Sequence, residues 1–267
     1  MISIVDTHCH LDLGQFDEDR QNVVRSALAA GVHAQVLIGY NPDRWRTTAR
    51  MCSDYPFMRR AVGLHPNDAD QWSDELGRAL DDEVAATRPL AIGEIGLDFF
   101  RSADNLEQQN RAFVGQLALA ARLDLPVIIH QRSAEQQVLE ILESSRPVSG
   151  VMHCFTGDVG FAQRCIDLGM YLGIGGVLTF PRSDDVRAAV ADVPLDRLLL
   201  ETDAPFLAPQ FRRGTRNEPA YLRGVAECLA EVRSMPVDEL IAQTTRNAID
   251  LFGPSLADAV RSGMEHS

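Results

Sequence analysis

Short apolar, β-branched runs recur along this chain, separated by longer segments of helical periodicity, and that alternation constrains the fold more than any other feature. The strand candidates are Ile2–Val5, Ala34–Ile38, Arg60–Gly63, Leu90–Glu94, Val127–His130, Gly150–His153, Tyr171–Ile174 and Leu198–Glu201. Runs this apolar suit strands covered on both faces. Between them, the segment Asn105–Leu125 sets Leu106, Phe113, Leu117, Ala120 and Ala121 on one helical face, and Pro126 ends it. Phe16–Gly31, Asp68–Thr87, Ala134–Ser145, Val159–Leu168, Ser183–Asp192 and Glu218–Arg233 read the same way, with Pro219 suited to a first helical turn. The repetition predicts an α/β chain folded as a (β/α)8 TIM-type barrel in a single domain. An open doubly wound sheet is the runner-up, but no strand is followed by a glycine-rich nucleotide fingerprint; Gly173, Gly175 and Gly176 lack the spacing. The 267 residues match what such a barrel fills as one domain. The barrel is expected over residues 1–253, with 254–267 as a C-terminal extension.

Charge narrows the chemistry. There are 25 basic and 38 acidic residues, a formal net charge of −13, and every basic residue is arginine. The absence of lysine excludes Walker-type phosphate loops, Schiff-base catalysis and a kinase ATP anchor. It also excludes a carbamylated lysine as a bridging metal ligand, so any bridge must be a carboxylate. An acidic protein cannot coat a polyanion non-specifically, so a nucleic-acid substrate would have to be held locally. No apolar run reaches the length of a membrane span, and the first residues lack a secretory pattern. Five cysteines with no CxxC pair fit reduced thiols. A cytoplasmic protein, with no membrane association and no obligate protein partner, is expected.

Histidines mark the expected strand ends. His8 and His10 follow the first strand, His65 follows the third, and His130 and His153 end the fifth and sixth. Glu94 ends the fourth strand and Asp203 follows the eighth. In a barrel of this kind the strand carboxyl ends form one mouth, so these separated residues converge there. The period-2 spacing of His8-Cys9-His10 points both imidazoles one way and Cys9 the other. A lone strand-end histidine is usually a hydrogen-bonded core residue, but so many donors on one face predict a metal site. His8, His10, Glu94, His130, His153 and Asp203 are the candidate ligands, more than one tetrahedral ion needs, and two ions sharing Glu94 is the economical arrangement. Imidazole and carboxylate donors admit magnesium, manganese, zinc or iron. His33, in a helix-to-strand turn, and His266, in the tail, are expected to be bystanders, and Trp45 and Trp72 to be packing residues.

The motifs Asp6-Thr7-His8-Cys9-His10-Leu11, Gly63-Leu64-His65-Pro66, Gly93-Glu94-Ile95-Gly96-Leu97-Asp98, Pro126-Val127-Ile128-Ile129-His130, His153-Cys154-Phe155-Thr156-Gly157 and Leu200-Glu201-Thr202-Asp203-Ala204-Pro205 resemble, in this order, those of the TatD-type metal-dependent hydrolases. Arg213-Gly214-Thr215-Arg216-Asn217-Glu218-Pro219 is similar to that family's loop after the last strand, and the likeness runs from about Val5 to Phe252. The resemblance implies an amidohydrolase-like barrel with a binuclear divalent-metal site. One ion would take His8, His10, Glu94 and Asp203; the other would take Glu94, His130 and His153. Many relatives carry a lysine where this chain reads Thr179-Phe180-Pro181-Arg182, so Arg182 would stand in with a planar fork rather than a point charge.

Water on such ions becomes a nucleophile near neutral pH. Asp203 is the candidate to hold that water and take its proton, and His65 to face the leaving group or a phosphate oxygen. Glu201 is expected to serve the catalytic machinery by orienting a ligand, as is Asp98. Arg132, Arg213 and Arg216, with Arg212 beside them, are candidates to grip phosphates. The resemblance most often implies a 3′-to-5′ exonuclease acting on DNA. The alternative is hydrolysis of a carbonyl ester or amide, D-aminoacyl-tRNA esters included, and a third possibility is a non-catalytic metal-binding barrel.

Overall fold

The computed structural model describes residues 2–101, 105–146 and 148–267. Eight strands pair in parallel in sequence order: β1 (Ile4–Cys9), β2 (Val32–Gly39), β3 (Met58–Val62), β4 (Ala91–Asp98), β5 (Val127–Arg132), β6 (Gly150–Met152), β7 (Met170–Ile174) and β8 (Leu198–Leu200). The last strand returns to the first just beyond its own end. The Asp203 amide donates to His8 O at 2.9 Å and the His10 amide to Ala204 O at 2.8 Å, closing the barrel. The helices between strands are α1 (Arg20–Ala29), α2 (Pro42–Asp54), α3 (Asp74–Thr87), α4 (Leu106–Leu123), α5 (Glu135–Ser144), α6 (Val159–Asp167) and α7 (Asp184–Asp192). After β8 come α8 (Leu222–Val232), α9 (Val237–Phe252) and α10 (Pro254–Glu265). The TIM-type barrel read from the sequence is therefore the fold.

Local chemistry starts several of the helices. Asn41, Ser73 and Asp158 each cap one by accepting a hydrogen bond from the amide three residues on, and Pro42 fills the first position of α2. In α4, Phe113, Leu117 and Ala120 are buried as the periodicity requires, but Leu106 is 39% exposed because it opens the helix. The strands feed two apolar layers. One, with Ile92, Ile129, Met152, Phe113 and Leu229, lies between sheet and helices. The other fills the barrel: Val5, Val36, Ala61, Ala91, Ile128, Val151 and Leu199 pack together and against Leu251, Phe252, Leu256, Ala259 and Val260 of α9 and α10. Segment 254–267, expected as an extension, thus carries a helix whose apolar face packs on this interior cluster. Its Gly263 lies so close to β2 that an added Cβ would stand 1.8 Å from His33 O.

Strand limits differ from the sequence reading at two instructive places. β1 runs through His8 to Cys9 and β4 runs past Glu94 to Asp98, where both had been expected to stop or to have stopped earlier. Each strand has a register irregularity beside its ligand candidate, between Asp6 and Cys9 in β1 and between Gly93 and Ile95 in β4. Such irregularities re-aim a side chain. In β4, Ile92 and Ile95 both face the outer layer, so the shift leaves Glu94 inside. Helices α2 and α9 had not been singled out in the sequence. Among the described residues, no helix is long and apolar enough to cross a membrane.

Candidate metal centre

At the carboxyl ends of the strands, the buried side chains of His8, His10, Glu94 and His153 meet those of Asp203, His65 and His130. His8 Nε2 lies 3.2 Å from His10 Nε2, 3.4 Å from Glu94 Oε2 and 3.7 Å from Asp203 Oδ1, while His10 Nε2 lies 3.2 Å from the same Asp203 oxygen. Two donors held about 2.0–2.1 Å from a tetrahedral ion stand about 3.4 Å apart. The four distances from His8 and His10 are of this size, and His8, His10 and Glu94 together form a group able to hold a divalent ion. Cys9 points outward, as the spacing predicts, into the cluster with Leu11, Leu37 and Met58.

The other Glu94 oxygen serves a second group. Oε1 lies 2.7 Å from His130 Nδ1, 3.6 Å from His65 Nε2 and 3.8 Å from His153 Nε2. Glu94 thus has histidines on both oxygens, His8 on Oε2 and His130, His65 and His153 on Oε1. His65, Glu94 and His130 form one compact trio; His8, His153 and Glu201 form another. His130 and His153 approach Glu94 from different groups, and His65 sits as near to Glu94 Oε1 as His153 does. The sequence reading had placed His65 at the mouth without grouping it with His130.

Carboxylates behind the histidines fix their rings. Glu201, 1% exposed, brings Oε1 within 2.8 Å of His153 Nδ1 and accepts the Cys154 amide at 2.6 Å. Gly173 makes room for it, since a Cβ there would meet Glu201 Oε2 at 2.3 Å. Asp98 brings Oδ2 within 3.2 Å of His130 Nε2 and accepts the Phe100 and Arg101 amides. Such outer carboxylates set the orientation and basicity of metal-binding imidazoles. Glu201 therefore sits behind His153 rather than facing the opening. The left-handed backbone of Asp203, φ 59°, is held by its amide bond to His8 O and by the Phe206 amide on its own carbonyl. Asp6, missed in the sequence, is fully buried and accepts from the Thr202 amide at 2.9 Å and from Thr202 Oγ1 at 2.6 Å, tying β1 to the ligand loop after β8. Asn217 binds the carbonyls of Thr202 and Phe206, each at 2.7 Å, and Tyr40 sets its ring against His10 and His65. Their signal was a polar residue in an otherwise apolar or loop context, which has no partner visible in sequence.

Burial opposes charge on every group here, and the neighbours decide the outcome. Burial would lift the Glu94 carboxyl, but His65, His8, His153 and the His130 bond hold it well below the usual carboxylate range. Asp203 is likewise lowered against its burial, chiefly by the His10 bond. Burial would lower His153, but Glu201 and Glu94 carry it up to about 10. His10 and His130 are also raised, by their carboxylate partners, whereas burial and a neighbouring imidazole push His8 down. The carboxylates thus hold positive charge at the places where cations would bind.

The arginine candidates separate. Arg132 lies exposed over the Phe100 ring, 4.0 Å from its centroid, and makes no ion pair among the described residues. Arg213 is exposed over Phe180 at 4.5 Å and Arg212 faces Tyr221 at 5.1 Å. The Arg216 guanidinium is already held by Asp19 at 2.7 Å and Glu218 at 2.9 Å. Arg182 is exposed. Trp45 is buried with its Nε1 donating to Gly63 O, Trp72 packs on the outer layer, and His33 pairs with Ser3 at 2.8 Å.

With this geometry in view, the chain can be set beside known proteins. The sequence profile of the TatD related DNases matches residues 5–253. The uncharacterized metal-dependent hydrolase YabD of Bacillus subtilis is 39% identical over 251 residues, covering 93% of this chain and 98% of that protein. The 3′-5′ ssDNA/RNA exonuclease TatD of Klebsiella pneumoniae is 39% identical over 255 residues, covering 93% and 97%. A solved TatD homologue from Escherichia coli superposes with a TM-score of 0.86 at 34% identity, covering 93% of this chain and 97% of its own. A profile matched over almost the whole chain, together with a barrel mouth lined by the motif residues themselves, makes this protein a metal-dependent hydrolase belonging to the TatD-related DNase family.

Proposed function

We propose that the protein is a 3′-to-5′ exonuclease that hydrolyses phosphodiester bonds in DNA, using two divalent ions that share Glu94. The reading rests above all on Glu94, whose Oε2 faces His8 and whose Oε1 faces His130, His65 and His153 at the barrel mouth. It is supported by the relatives named as 3′-5′ exonucleases. His8, His10 and Asp203 would hold one ion with Glu94, and His130 and His153 the other. When bound, such ions acidify a water toward neutral pH and neutralise charge gathering on the phosphate oxygens.

The chain's own groups do the rest. Asp203, kept ionised by His10, orients the attacking water and takes its proton at the carboxylate. His65 Nε2 faces the scissile phosphate or the leaving oxygen, its ring set by the Asn67 amide on Nδ1 at 3.0 Å. Glu201 and Asp98 keep His153 and His130 in register. Arg132 and Arg213, both exposed and without an ion pair among the described residues, receive phosphates, and Arg216 ties the loop after β8 to the loop after β1. End-directed cleavage suits a protein of net charge −13, since little of the polymer is gripped. Five free thiols accord with a cytoplasmic setting.

The test is release of mononucleotides from 3′-labelled single-stranded DNA by metal-stripped protein titrated with magnesium, manganese or zinc. Metal-dependent release by the wild type, absent in the His130→Ala, His153→Ala double variant, is expected. Two bound ions with no cleavage by any metal would overturn the reading and redirect it to acyl esters or amides.

A further inference from the structure

Of the eleven phenylalanines in the chain, only three are largely exposed: Phe100 at 67%, Phe206 at 46% and Phe211 at 52%. All three lie on the catalytic face, in the loops that follow β4 and β8. Phe206 stands beside a ligand candidate, and Phe100 beside the carboxylate that contacts another. The Phe206 ring lies edge-on to His10, 5.9 Å between centroids. Phe100 follows Asp98, the carboxylate that holds His130.

Neither ring is exposed because its backbone is loose. The Phe206 amide donates to Asp203 O at 2.8 Å, and its carbonyl takes the buried Asn217 side chain at 2.7 Å. The Phe100 amide donates to Asp98 Oδ1 at 3.0 Å, and the Phe99 amide to Arg132 O at 2.9 Å. Arg132 then covers one face of the Phe100 ring with its guanidinium plane. Two exposed aromatic rings, each on hydrogen-bonded backbone, thus flank a hydrolytic mouth. Ring faces bind flat π-systems irrespective of base identity, and a guanidinium on a ring adds a cationic plane.

We propose that Phe206, assisted by Phe100 under Arg132, stacks the unpaired nucleobases at the reacting end of the substrate. A base in a duplex has both faces covered by its neighbours and cannot be offered to the rings without unpairing. The acidic surface supplies no electrostatic grip on a duplex that would compensate. Stacking does not depend on net charge, so it suits this chain where a basic groove does not. The inference rests on the phosphodiesterase reading above.

The experiment uses the metal-loaded, full-length protein and two single-stranded oligonucleotides, one ending in natural 3′ nucleotides and one in abasic tetrahydrofuran units joined by the same phosphodiesters. Wild type should favour the natural end by about ten-fold or more in kcat/KM, since stacking one base on an aromatic side chain is worth that much. In Phe206→Ala the ratio should collapse toward one, with Phe100→Ala lowering it less, and Phe206→Tyr should restore it. Equal cleavage of both ends by the wild type overturns the stacking role while leaving the phosphodiesterase reading intact. A natural-end preference that survives Phe206→Ala also overturns it. Cleavage of neither end removes the phosphodiesterase reading and this inference with it.

Discussion

The two ends of the barrel use the same strands for opposite purposes. At the floor, Ala61, Ala91, Ile128, Val151 and Leu199 pack against Leu256, Ala259 and Val260 in one apolar cluster. A few residues further along the same strands, or just past them, the interior becomes His8, Glu94, His130 and His153. Burying apolar surface stabilises the fold, whereas burying ionisable groups costs stability unless they are paired. The floor therefore carries folding energy and the mouth carries chemistry, so variants at the two ends should separate stability from activity.

The largest effect is expected of Glu94→Gln, which removes the charge that the surrounding histidines face. Hydrolysis should fall to background and bound metal, read by elemental analysis, should drop, while the metal-free thermal midpoint, which loses the pairing of Glu94 with its histidines, falls less than in the floor variant below. A large loss of stability in Glu94→Gln would mean the mouth also holds the fold together. At the floor, Leu256→Ala should cost about 2–5 kcal/mol in unfolding free energy. For a chain of this size that lowers the midpoint by roughly 2–4 °C per kcal/mol. The folded fraction should keep its kcat/KM, and removal of residues 254–267 should destabilise more, because it uncovers the interior cluster.

Glu201→Gln sharpens the comparison inside the mouth. Loss of an outer carboxylate typically costs about 10–100-fold in metal affinity. Activity should return at high metal concentration, which an essential proton-transfer group would not permit. The smallest effect is the most diagnostic of charge. His153 is raised to about 10 in the metal-free protein, so its pairing with Glu201 and Glu94 stabilises fully below the ordinary histidine value and is lost as pH rises through 10. Metal competes with that proton, so loading at pH 7 should release protons, and the metal-induced rise in thermal midpoint should grow with pH. Calorimetry in buffers of different ionisation enthalpy measures the release. No proton release would show that His153 is not displaced from its protonated state.

Much of the mouth was legible in sequence because imidazoles and carboxylates interrupt apolar runs, and parallel strands leave few other reasons for them. The limits of β1 and β4 were not. A polar residue in an apolar run reads as a strand end, yet in a barrel the interior itself turns polar near the mouth, so the strands continue through His8 and Glu94. The irregularities that aim those residues have no local signature. Nor did sequence show that Arg216 would be taken up by Asp19, that Asp6 would hold Thr202, or that α10 would cover the floor, because each partnership joins distant parts of the chain. His65 was placed at the mouth, but its approach to Glu94 alongside His130 depends on how β3 and β4 lie together.

The closure between β1 and the residues after β8 bears on how this enzyme comes into being. His8 and Asp203 reach each other only through hydrogen bonds joining nearly the first and nearly the last segments of the barrel. A chain emerging from the ribosome presents His8 and His10 early, then Glu94, His130 and His153, but it cannot complete that donor set until its eighth strand has been made and has docked. On the ligand set proposed above, hydrolytic competence arrives only once the eighth strand has docked, so a product truncated before it would lack the complete site.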